Sequence, residues 1–529
     1  MLNLLEEQLI STVSPAGRKT RRSLPGVLAA LVRSEIASFS SLRPHQRLVW
    51  HAFLVQIATL ALENADEKTL PDSEHEWRDL LTYLTSNWPG GEPWHLLAQN
   101  ATKPALMQAP IPGGNVSSFR RIETPDSLDM LITSKNHDLK RERMWNAEPE
   151  DWLYALISLQ TQEGIMGGGK YGISRMNGGF GSRSMMSVDS PGDQGFRFRR
   201  DVLALRLPQS QINGHKISRK GISLVWLEPW DGSTQIPFGG LHPLYVEICR
   251  RVRLRTEDGR IYAVESVSSK PRIACPPDLR GDTGDPWMPV STEGKAFSVG
   301  RGGFSYRKVS ELLNPERFRL PALAKVSDSE SAHKAALVFQ AVCRGQGKTE
   351  GYHERHLPLG LFRHKDVVAT AEKRIEAMGE LRSAFRLALF VIAQGGPDKV
   401  AADKQETKDF VEPHLERFER EIDRTFFQHL EEELSTPEAD REGIYQEWLE
   451  RQLAFAEALL LQSYQSLPHP FNRRYQARAR AGLAFRGRLA KSPIFKFAFS
   501  RTEIKENLNE FNKECWNRTQ SVQSVLDYN

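Results

Sequence analysis

From about residue 364 onward, apolar residues recur every three or four positions, and this spacing limits the C-terminal part of the chain to amphipathic helices. Breaks rich in Gly, Ser, Thr and Pro, at 395–397, 435–437 and 468–470, divide the pattern into four segments. Four long helices with short connections predict a four-helix bundle. The apolar positions are Leu381, Phe385, Leu389 and Ile392; Val411, Leu415, Phe418, Ile422, Phe426 and Leu430; Ile444, Trp448, Leu453, Leu459 and Leu460; and a fourth set within 475–489.

The rest of the chain has a mixed pattern. Helices are predicted at 44–63 and 74–88, and Pro and Gly interrupt short β-type runs at 202–207, 222–227 and 244–254. Strands and helices do not alternate regularly, which argues against a doubly wound dinucleotide domain.

A chain of 529 residues is too long for a single core, and its length suggests roughly three domains. The predicted fold class is therefore α+β, with a large irregular mixed α/β N-terminal domain followed by the four-helix bundle. The predicted boundaries are 1–362 for the mixed domain, 363–492 for the bundle and 493–529 for a C-terminal extension.

Charge and cysteine content restrict the functional classes. A formal charge of +5 is too small for a general nucleic-acid coating protein, so any such site must be local. The four cysteines, Cys249, Cys275, Cys343 and Cys515, are far apart and are interpreted as free thiols of a cytoplasmic protein. The N-terminus is acidic, unlike a signal peptide. The apolar run 48–62 is too short to cross a bilayer and predicts a buried helix.

The segment 160–185 carries seven glycines within 164–179, beside Lys170, Arg175 and Arg183. Glycine at this density lets the backbone adopt positive φ and approach a ligand closely. From glycine content alone, a mobile loop is the simpler interpretation. However, the apolar run 152–159 before it predicts a helix that fixes one end. Because no carboxylate stands between these cations in the sequence, a polyanion is the expected ligand.

Two further segments are basic. Residues 471–491 contain seven cations and no acid, which favours binding to a phosphate backbone or an acidic partner over a merely solvated face. The segment 135–143 mixes cations with Asp138 and Glu142, and by itself it is more typical of a solvated helix end.

Several enzyme motifs fail in detail. Gly167, Gly169 and Gly172 match the dinucleotide fingerprint, but the preceding run is helical where a strand is needed. The turn 345–349 ends like a P-loop, yet position 342 is Val where the motif needs Gly. The sequence 353–356 spaces its histidines too closely for a zinc protease. We therefore predict no enzyme activity, no metal and no cofactor.

The turn RGQGKTEG, which lies between two apolar runs, predicts a β-hairpin with Arg344, Gln346 and Lys348 at its tip. A glutamine at such a tip can act as a neutral wedge or a hydrogen-bond donor in a groove, although most often it is simply exposed.

Several motifs, taken in order, resemble a known family. They are NLL near the start, ALMQ at 105–108, LQTQEGIMGGGKYG at 159–172, HPLYVEICRRVRL at 242–254, GDTGDPWMPV at 281–290 and the RGQGKTEG turn. The chain thereby resembles CasA, the large subunit of the type I-E CRISPR surveillance complex Cascade. The resemblance covers nearly the whole chain, including the C-terminal helical bundle.

The resemblance implies that this chain recognises the protospacer-adjacent motif of double-stranded DNA, mostly from the minor groove, and promotes duplex opening and R-loop formation. It implies a glycine loop at Gly167, Gly168 and Gly169, next to Lys170. A lysine finger is implied at Lys270 or Arg272. A glutamine wedge is implied at Gln346, next to Lys348.

The resemblance also implies partners. These are the crRNA-containing Cascade subunits, the target duplex with its displaced strand, and a helicase-nuclease or a nuclease fused to another subunit. A contact to crRNA or to other subunits would involve Lys135, Asn136, His137 and Lys140. The basic face of the bundle would contribute Arg473, Arg474, Arg478 and Arg480. Two alternatives remain open: a metal- or nucleotide-dependent nuclease, and a scaffold subunit that does not read DNA sequence.

Overall fold

The computed structural model describes most of the chain and divides it into two compact units, Met1–Leu359 (unit 1) and Gly360–Asn529 (unit 2). The predicted boundaries after residues 362 and 492 stay predictions. The described residues are 2–130, 144, 146–176, 181–190, 192–206, 211–212, 215–216, 219–325, 335–345, 348–397, 400–401, 405–464 and 471–498.

Both units contain helices, whereas the described strands all lie in unit 1. The helices are α1 (Leu24–Val32), α2 (Arg47–Asn64), α3 (Glu74–Leu84), α4 (Pro149–Gln162), α5 (Gln194–Leu205), α6 (Tyr306–Leu313), α7 (Val367–Ala393), α8 (Gln405–Ser435), α9 (Arg441–Ser463) and α10 (Phe471–Leu489). The strands are β1 (Ile10–Val13), β2 (Lys19–Arg22), β3 (Ser38–Phe39), β4 (Arg120–Ile122), β5 (Met185–Asp189), β6 (Gln211–Ile212), β7 (His215–Lys216), β8 (Ile222–Leu224), β9 (Ile236–Pro237), β10 (Leu241–Val246), β11 (Arg251–Glu257), β12 (Arg260–Ser266), β13 (Ile273–Ala274), β14 (Val290–Ser291), β15 (Phe318–Arg319), β16 (Ala336–Gly345) and β17 (Lys348–Pro358).

Helix α2 is the centre of unit 1. All of residues 48–62 are buried, as the sequence predicted, and the helix packs against α3, α4, α5 and β10. Its polar residues have buried partners: His51 Nε2 lies 2.7 Å from Asp201 Oδ2, and Gln56 Nε2 donates to the carbonyl of Tyr245 at 3.0 Å. No helix within the described ranges is both long and apolar enough to cross a membrane.

The strands of unit 1 form small sheets of two or three strands, in agreement with the predicted irregular α/β domain. The two that matter for the candidate site are antiparallel, with the orders β17-β16-β5 and β11-β12-β4. Strands β16 and β17 form the predicted hairpin, in which Gly345 pairs with Lys348.

The prediction of a β-type run at 202–207 is wrong, because residues up to Leu205 form the last turns of helix α5. Asp193 caps this helix by accepting a hydrogen bond from the Phe196 N–H at 2.8 Å. Phe198, Val202 and Leu205 are all buried, at the i, i+4, i+7 spacing of a helix face. Residue 207 lies outside the described residues.

Unit 2 consists mainly of the four predicted helices. Helix α7 packs against α8, α9 and α10, and α8 also packs against α9. The predicted core positions on α7 and α8 are all buried. Arg374 and Glu433 form a buried ion pair at 2.6 Å between α7 and α8. The predicted fold class is thus confirmed.

Candidate nucleic-acid interface

The glycine segment forms a tight turn rather than a featureless loop. The Lys170 N–H donates to the Gly167 carbonyl at 3.1 Å, and the Met166 N–H donates to the Lys170 carbonyl at 2.9 Å. Gly167 and Gly169 have φ values of +130° and +78°, which side chains with a Cβ rarely adopt. Gly168, at the tip, is exposed, and a Cβ added there would meet no atom within 4 Å. The turn therefore presents bare backbone to an approaching ligand.

The base of the turn is closed by main-chain contacts. Helix α4 ends at Gln162, and the Ile173 N–H then donates to the Glu163 carbonyl at 2.9 Å. A Cβ on Gly172 would lie 2.5 Å from the carbonyl carbon of Gly164. The two backbone segments can therefore touch only because Gly172 lacks a side chain. Arg250 donates to the Tyr171 carbonyl and, at 3.1 Å, to that of Gly164. These contacts hold the turn in one conformation.

Two of the cations near the turn are buried, which corrects the expectation that they face a polyanion. The Arg183 guanidinium is 2% exposed and forms a bidentate pair with Asp285. Arg175 is also 2% exposed, stacks over Tyr245 at 4.2 Å and lies 3.8 Å from Asp285. Burial alone would raise the pKa of Asp285, but the two guanidinium groups hold it below its ordinary value. Arg175 and Arg183 therefore stabilise the fold beneath the turn.

Glu247 is a second buried carboxylate in this region. It accepts hydrogen bonds from Ser174 N at 2.6 Å and from Ser174 Oγ at 2.9 Å. Burial raises its pKa to about 7, against the opposing effect of Arg175.

The raised pKa of Glu247 predicts a pH-dependent stability. The pKa of Glu in an unfolded chain is 4.5, so between 4.5 and about 7 the native protein keeps a proton that the unfolded chain releases. Stability therefore falls as pH rises through this window, by about 3 kcal/mol for this group alone. Glutamine does not titrate in this range. In Glu247→Gln, the free energy of unfolding measured with urea should therefore lack this contribution to its fall between about pH 5 and about pH 8. An identical pH dependence in both proteins would contradict the assignment.

The segment 267–270 lies directly beside the turn. The Ser268 N–H donates to the Gly169 carbonyl at 2.9 Å, and the Tyr171 hydroxyl donates to the Ser269 carbonyl at 3.0 Å. A Cβ on Gly169 would lie 2.8 Å from the Val267 Cβ, so this contact requires glycine. The structure thus brings together two segments that are about 100 residues apart in the sequence.

The candidate lysine-finger residues differ in exposure. Lys270 is exposed at the end of the segment 267–270. Arg272 is 3% exposed, donates to the Glu228 carbonyl at 2.9 Å and lies 5.3 Å from the Trp230 ring centre. Burial lowers the pKa of Arg272 to about 10. Only Lys270 is therefore available to an external ligand in this structure.

Lys170 is partly exposed and has a carboxylate partner, unlike the unpaired cation that the sequence suggested. Its Nζ lies 2.7 Å from Glu265 Oε2, which Arg120 also approaches to 3.1 Å. This pairing joins the glycine turn to strand β12.

The hairpin that carries the predicted wedge is anchored on several sides. The Gln340 side chain donates to the His45 carbonyl at 2.9 Å, and the Thr349 hydroxyl donates to the Met130 carbonyl at 2.6 Å. Ser182, on the segment leading from the glycine region into β5, donates to the Val342 carbonyl. Gln346 lies outside the described residues, as does the side chain of Lys348, so the roles of both stay predictions.

The predicted contact to crRNA or to neighbouring subunits also lies outside the described residues. It comprises Lys135, Asn136, His137 and Lys140.

Helix α10 has an apolar face and a basic face. Ala477, Ala481, Phe485 and Leu489 recur every four residues and are buried. Arg473, Arg474 and Arg478 are exposed, and Arg480 is half-buried and donates to the Gly396 carbonyl at 2.6 Å. The helix therefore presents several guanidinium groups at the surface of unit 2.

The histidine pair at 353 and 356, which the sequence excluded as a zinc-protease motif, lies on strand β17 rather than on a helix. His356 and Glu354 are neighbours on strand β17, with Nε2 and Oε1 2.7 Å apart. Within the described ranges, no group of three or more His, Cys, Asp or Glu side chains is placed to hold a metal ion.

Sequence reasoning missed several residues that shape the interface. Arg250 lies in a motif that supported the resemblance, but nothing in the motif indicates that its side chain closes the base of the turn. Gly232 accepts hydrogen bonds from the Ser269 N–H at 2.7 Å and the Ser269 hydroxyl at 3.1 Å. The φ of Gly232 is +94°. A glycine after Asp231 is a turn signal, so the sequence could have predicted this φ but not the two hydrogen bonds.

Comparisons with known proteins give a consistent result. The family model described as CRISPR-associated protein Cse1 matches residues 3–458. By sequence, no curated protein matches the chain. The structure of Thermus thermophilus CasA (Cse1) aligns with a TM-score of 0.63 and 15% identity, covering 93% of this chain and 99% of that chain.

Two further solved structures share this fold. Cse1 from Acidimicrobium ferrooxidans aligns with a TM-score of 0.61 and 15% identity, covering 93% of this chain and 98% of that one. A chain from a structure named CRISPR RNA-guided surveillance complex aligns with a TM-score of 0.55 and 13% identity, covering 92% and 99%. At these identities the structural likeness establishes the fold alone.

Proposed function

The chain belongs to the CRISPR-associated Cse1 family, and from this premise we propose that it is the large subunit of a type I-E Cascade complex. We infer that, within this complex, the chain recognises the protospacer-adjacent motif of double-stranded DNA and promotes opening of the duplex. Its partners are the crRNA-containing subunits, the target DNA with its displaced strand, and an effector nuclease. A chain of similar fold occurs in a structure named CRISPR RNA-guided surveillance complex, which supports the proposed assembly.

The observation that carries the proposal is the exposed glycine turn with Lys270 beside it. Gly168 has open space around its Cα, and the turn is closed from behind by Arg250 and by the contact between Gly164 and Gly172. A fixed, bare backbone next to the exposed Lys270 suits the narrow minor groove, where bulky side chains are excluded.

The chemistry of the minor groove matches such a reader. Its base edges present a pattern that distinguishes A·T from G·C but tolerates exchange within each class. Backbone N–H groups and one lysine therefore suffice to recognise a short, degenerate motif, while guide pairing supplies the remaining specificity.

The hairpin β16–β17 supports a role in duplex opening. Both strands are fixed by pairing and by the contacts of Gln340 and Thr349, so the strand ends at Gly345 and Lys348 have a firm base. Insertion of Gln346 between base steps would cost a few kcal/mol, which contacts to the DNA backbone and formation of the heteroduplex would offset.

The basic face of α10 provides a candidate contact for phosphate groups. Arg473, Arg474 and Arg478 are exposed, and guanidinium groups pair well with phosphates. We assign this face to the displaced strand or to acidic surfaces of neighbouring subunits. In this proposal the bundle adds affinity but no sequence preference.

The proposal predicts a motif-specific effect of Lys270→Ala. In the assembled complex, affinity for a duplex with the preferred flank should fall by about tenfold, because one contact to a base edge is lost. Affinity for duplexes with disfavoured flanks should change by less than about twofold. The measurement is equilibrium binding to matched targets that differ only in the three flanking base pairs, at fixed salt.

Lys19→Ala is the control, because Lys19 is an exposed lysine on strand β2 and its removal changes the charge equally. An equal loss for all flanks in Lys270→Ala would instead identify a phosphate contact. If complexes with and without the chain show the same flank preference, the chain is a scaffold that does not read sequence.

A further inference from the structure

Val267 is an exposed apolar residue at the centre of the candidate interface. Its exposed fraction is 58%, and it directly follows strand β12. It contacts Gly169 on one side, and Lys270 lies three positions further along the chain. Single exposed apolar residues are common on protein surfaces, so exposure alone assigns no role. The position of Val267 between the glycine turn and the exposed lysine is what sets it apart.

The main chain around Val267 is fixed from three directions. Arg251 Nη1 donates to the Val267 carbonyl at 3.3 Å, and the neighbouring Ser268 N–H donates to Gly169. The Ser269 N–H donates to the Gly232 carbonyl at 2.7 Å. Arg251 is itself held over the Phe119 ring at 5.0 Å. A β-branched side chain has restricted χ1 freedom, so the two methyl groups are presented at a defined place.

We propose that Val267 is a specificity-determining residue, which disfavours a G·C pair at the one flanking position that it faces in the minor groove. This inference rests on the proposed function. It adds a side-chain contact to a reader that otherwise consists of main-chain groups and Lys270.

The discrimination follows from the chemistry of the groove. All base pairs present acceptor atoms there, so the cost of covering those acceptors cancels when base pairs are compared. Only G·C adds an amine donor, the guanine N2 group. A methyl group placed against this amine removes its water and offers no acceptor in return, which is unfavourable. A·T and T·A pairs have no such group and are tolerated equally.

The test is a Val267→Thr variant in the complete complex. Threonine keeps the β-branched shape but replaces a methyl group by a hydroxyl that can accept a hydrogen bond from the guanine amine. Binding is measured for duplexes that carry each of the four base pairs at each of the three flanking positions. We expect the wild-type complex to disfavour G·C at one position by about tenfold, and Val267→Thr to reduce this to about threefold or less.

Two companion variants sharpen the test. Val267→Ala removes the methyl groups and should also reduce the discrimination at that position. Leu203→Thr changes an apolar residue of helix α5 that is 54% exposed, and it should leave the profile unchanged. Incorporation of each variant into the complex is measured in parallel.

The inference is overturned if the wild type shows no discrimination against G·C at any flank. It is also overturned if Val267→Thr leaves the profile unchanged while Lys270→Ala alters it; in that case the proposed function stands. Impaired incorporation of Val267→Thr, with an unchanged profile, would identify Val267 as a contact between subunits. If neither the wild type nor any variant shows a flank preference, the proposed function itself is rejected.

Discussion

Replacing Gly168 by leucine is expected to reduce binding of the complex to its preferred flank by about tenfold or more, without destabilising the protein. The site has open space, so the side chain meets no protein atom and stability should change by less than about 0.5 kcal/mol. The same side chain would hold the turn away from the floor of the groove. The lost contacts correspond to about 1–3 kcal/mol, as for one mismatched base pair.

Gly240→Leu is the matched control for this prediction. Gly240 is also exposed, has no atom within 4 Å of an added Cβ and does not have a positive φ. Affinity is measured for preferred and disfavoured flanks, and thermal unfolding is recorded for both variants. If Gly168→Leu binds the preferred flank as tightly as the wild type, DNA does not approach this turn, and the proposed interface must be elsewhere.

Much of the fold followed from the sequence because long amphipathic patterns have one reasonable solution. Helices α7 to α9 show apolar residues at helical spacing over many turns, and clear breaks separate them. The buried helix α2 and the hairpin β16–β17 were likewise predictable, from a continuous apolar run and from a turn between two such runs. The short run at 202–207 was not predictable, because a few apolar residues fit a strand and the last turns of a helix equally well.

The candidate site was only partly predictable, for a different physical reason. Glycine content predicted a stretch of bare backbone, which the structure shows as an exposed turn, and the resemblance implied Lys270 or Arg272, of which Lys270 is exposed and Arg272 is buried. However, the sequence does not show which carboxylate a cation will meet after folding. Arg183 pairs with Asp285, 102 positions away, and Lys170 pairs with Glu265, 95 positions away. Cations that the sequence suggested were available for a polyanion are therefore paired with carboxylates of unit 1.

The buried pairs of Arg175 and Arg183 with Asp285 lie close in sequence to the glycine turn and help to fix its position. Arg175 and Arg183 both follow the glycine turn and both approach Asp285. The turn itself keeps few side-chain contacts to the core, since glycines form most of it. Its position thus depends on the residues on either side of it, namely helix α4 before it and the arginines after it.

Asp285→Asn is accordingly expected to destabilise unit 1 by about 3–5 kcal/mol, because two buried guanidinium groups lose their shared carboxylate. Asparagine keeps the shape of the side chain, so the effect reports on charge rather than on a cavity. The measurement is chemical denaturation of the isolated chain at neutral pH. Glu257→Gln serves as the control, since its pair with Arg121 at 2.7 Å is solvent-exposed and should contribute at most about 1 kcal/mol.

A double-mutant cycle tests whether the loss arises from unpaired charge. Arg183→Met removes the guanidinium that forms the bidentate pair with Asp285, so combining it with Asp285→Asn should cost less than the sum of the two single changes. The remaining cost reflects Arg175, which lies 3.8 Å from Asp285. Strict additivity would mean that the pair is not coupled, and the ionic cluster would then not be what fixes the chain after the glycine turn. Coupling of about 0.5 to 3 kcal/mol, the range found for residues in contact, would place the support of the glycine turn in this buried cluster.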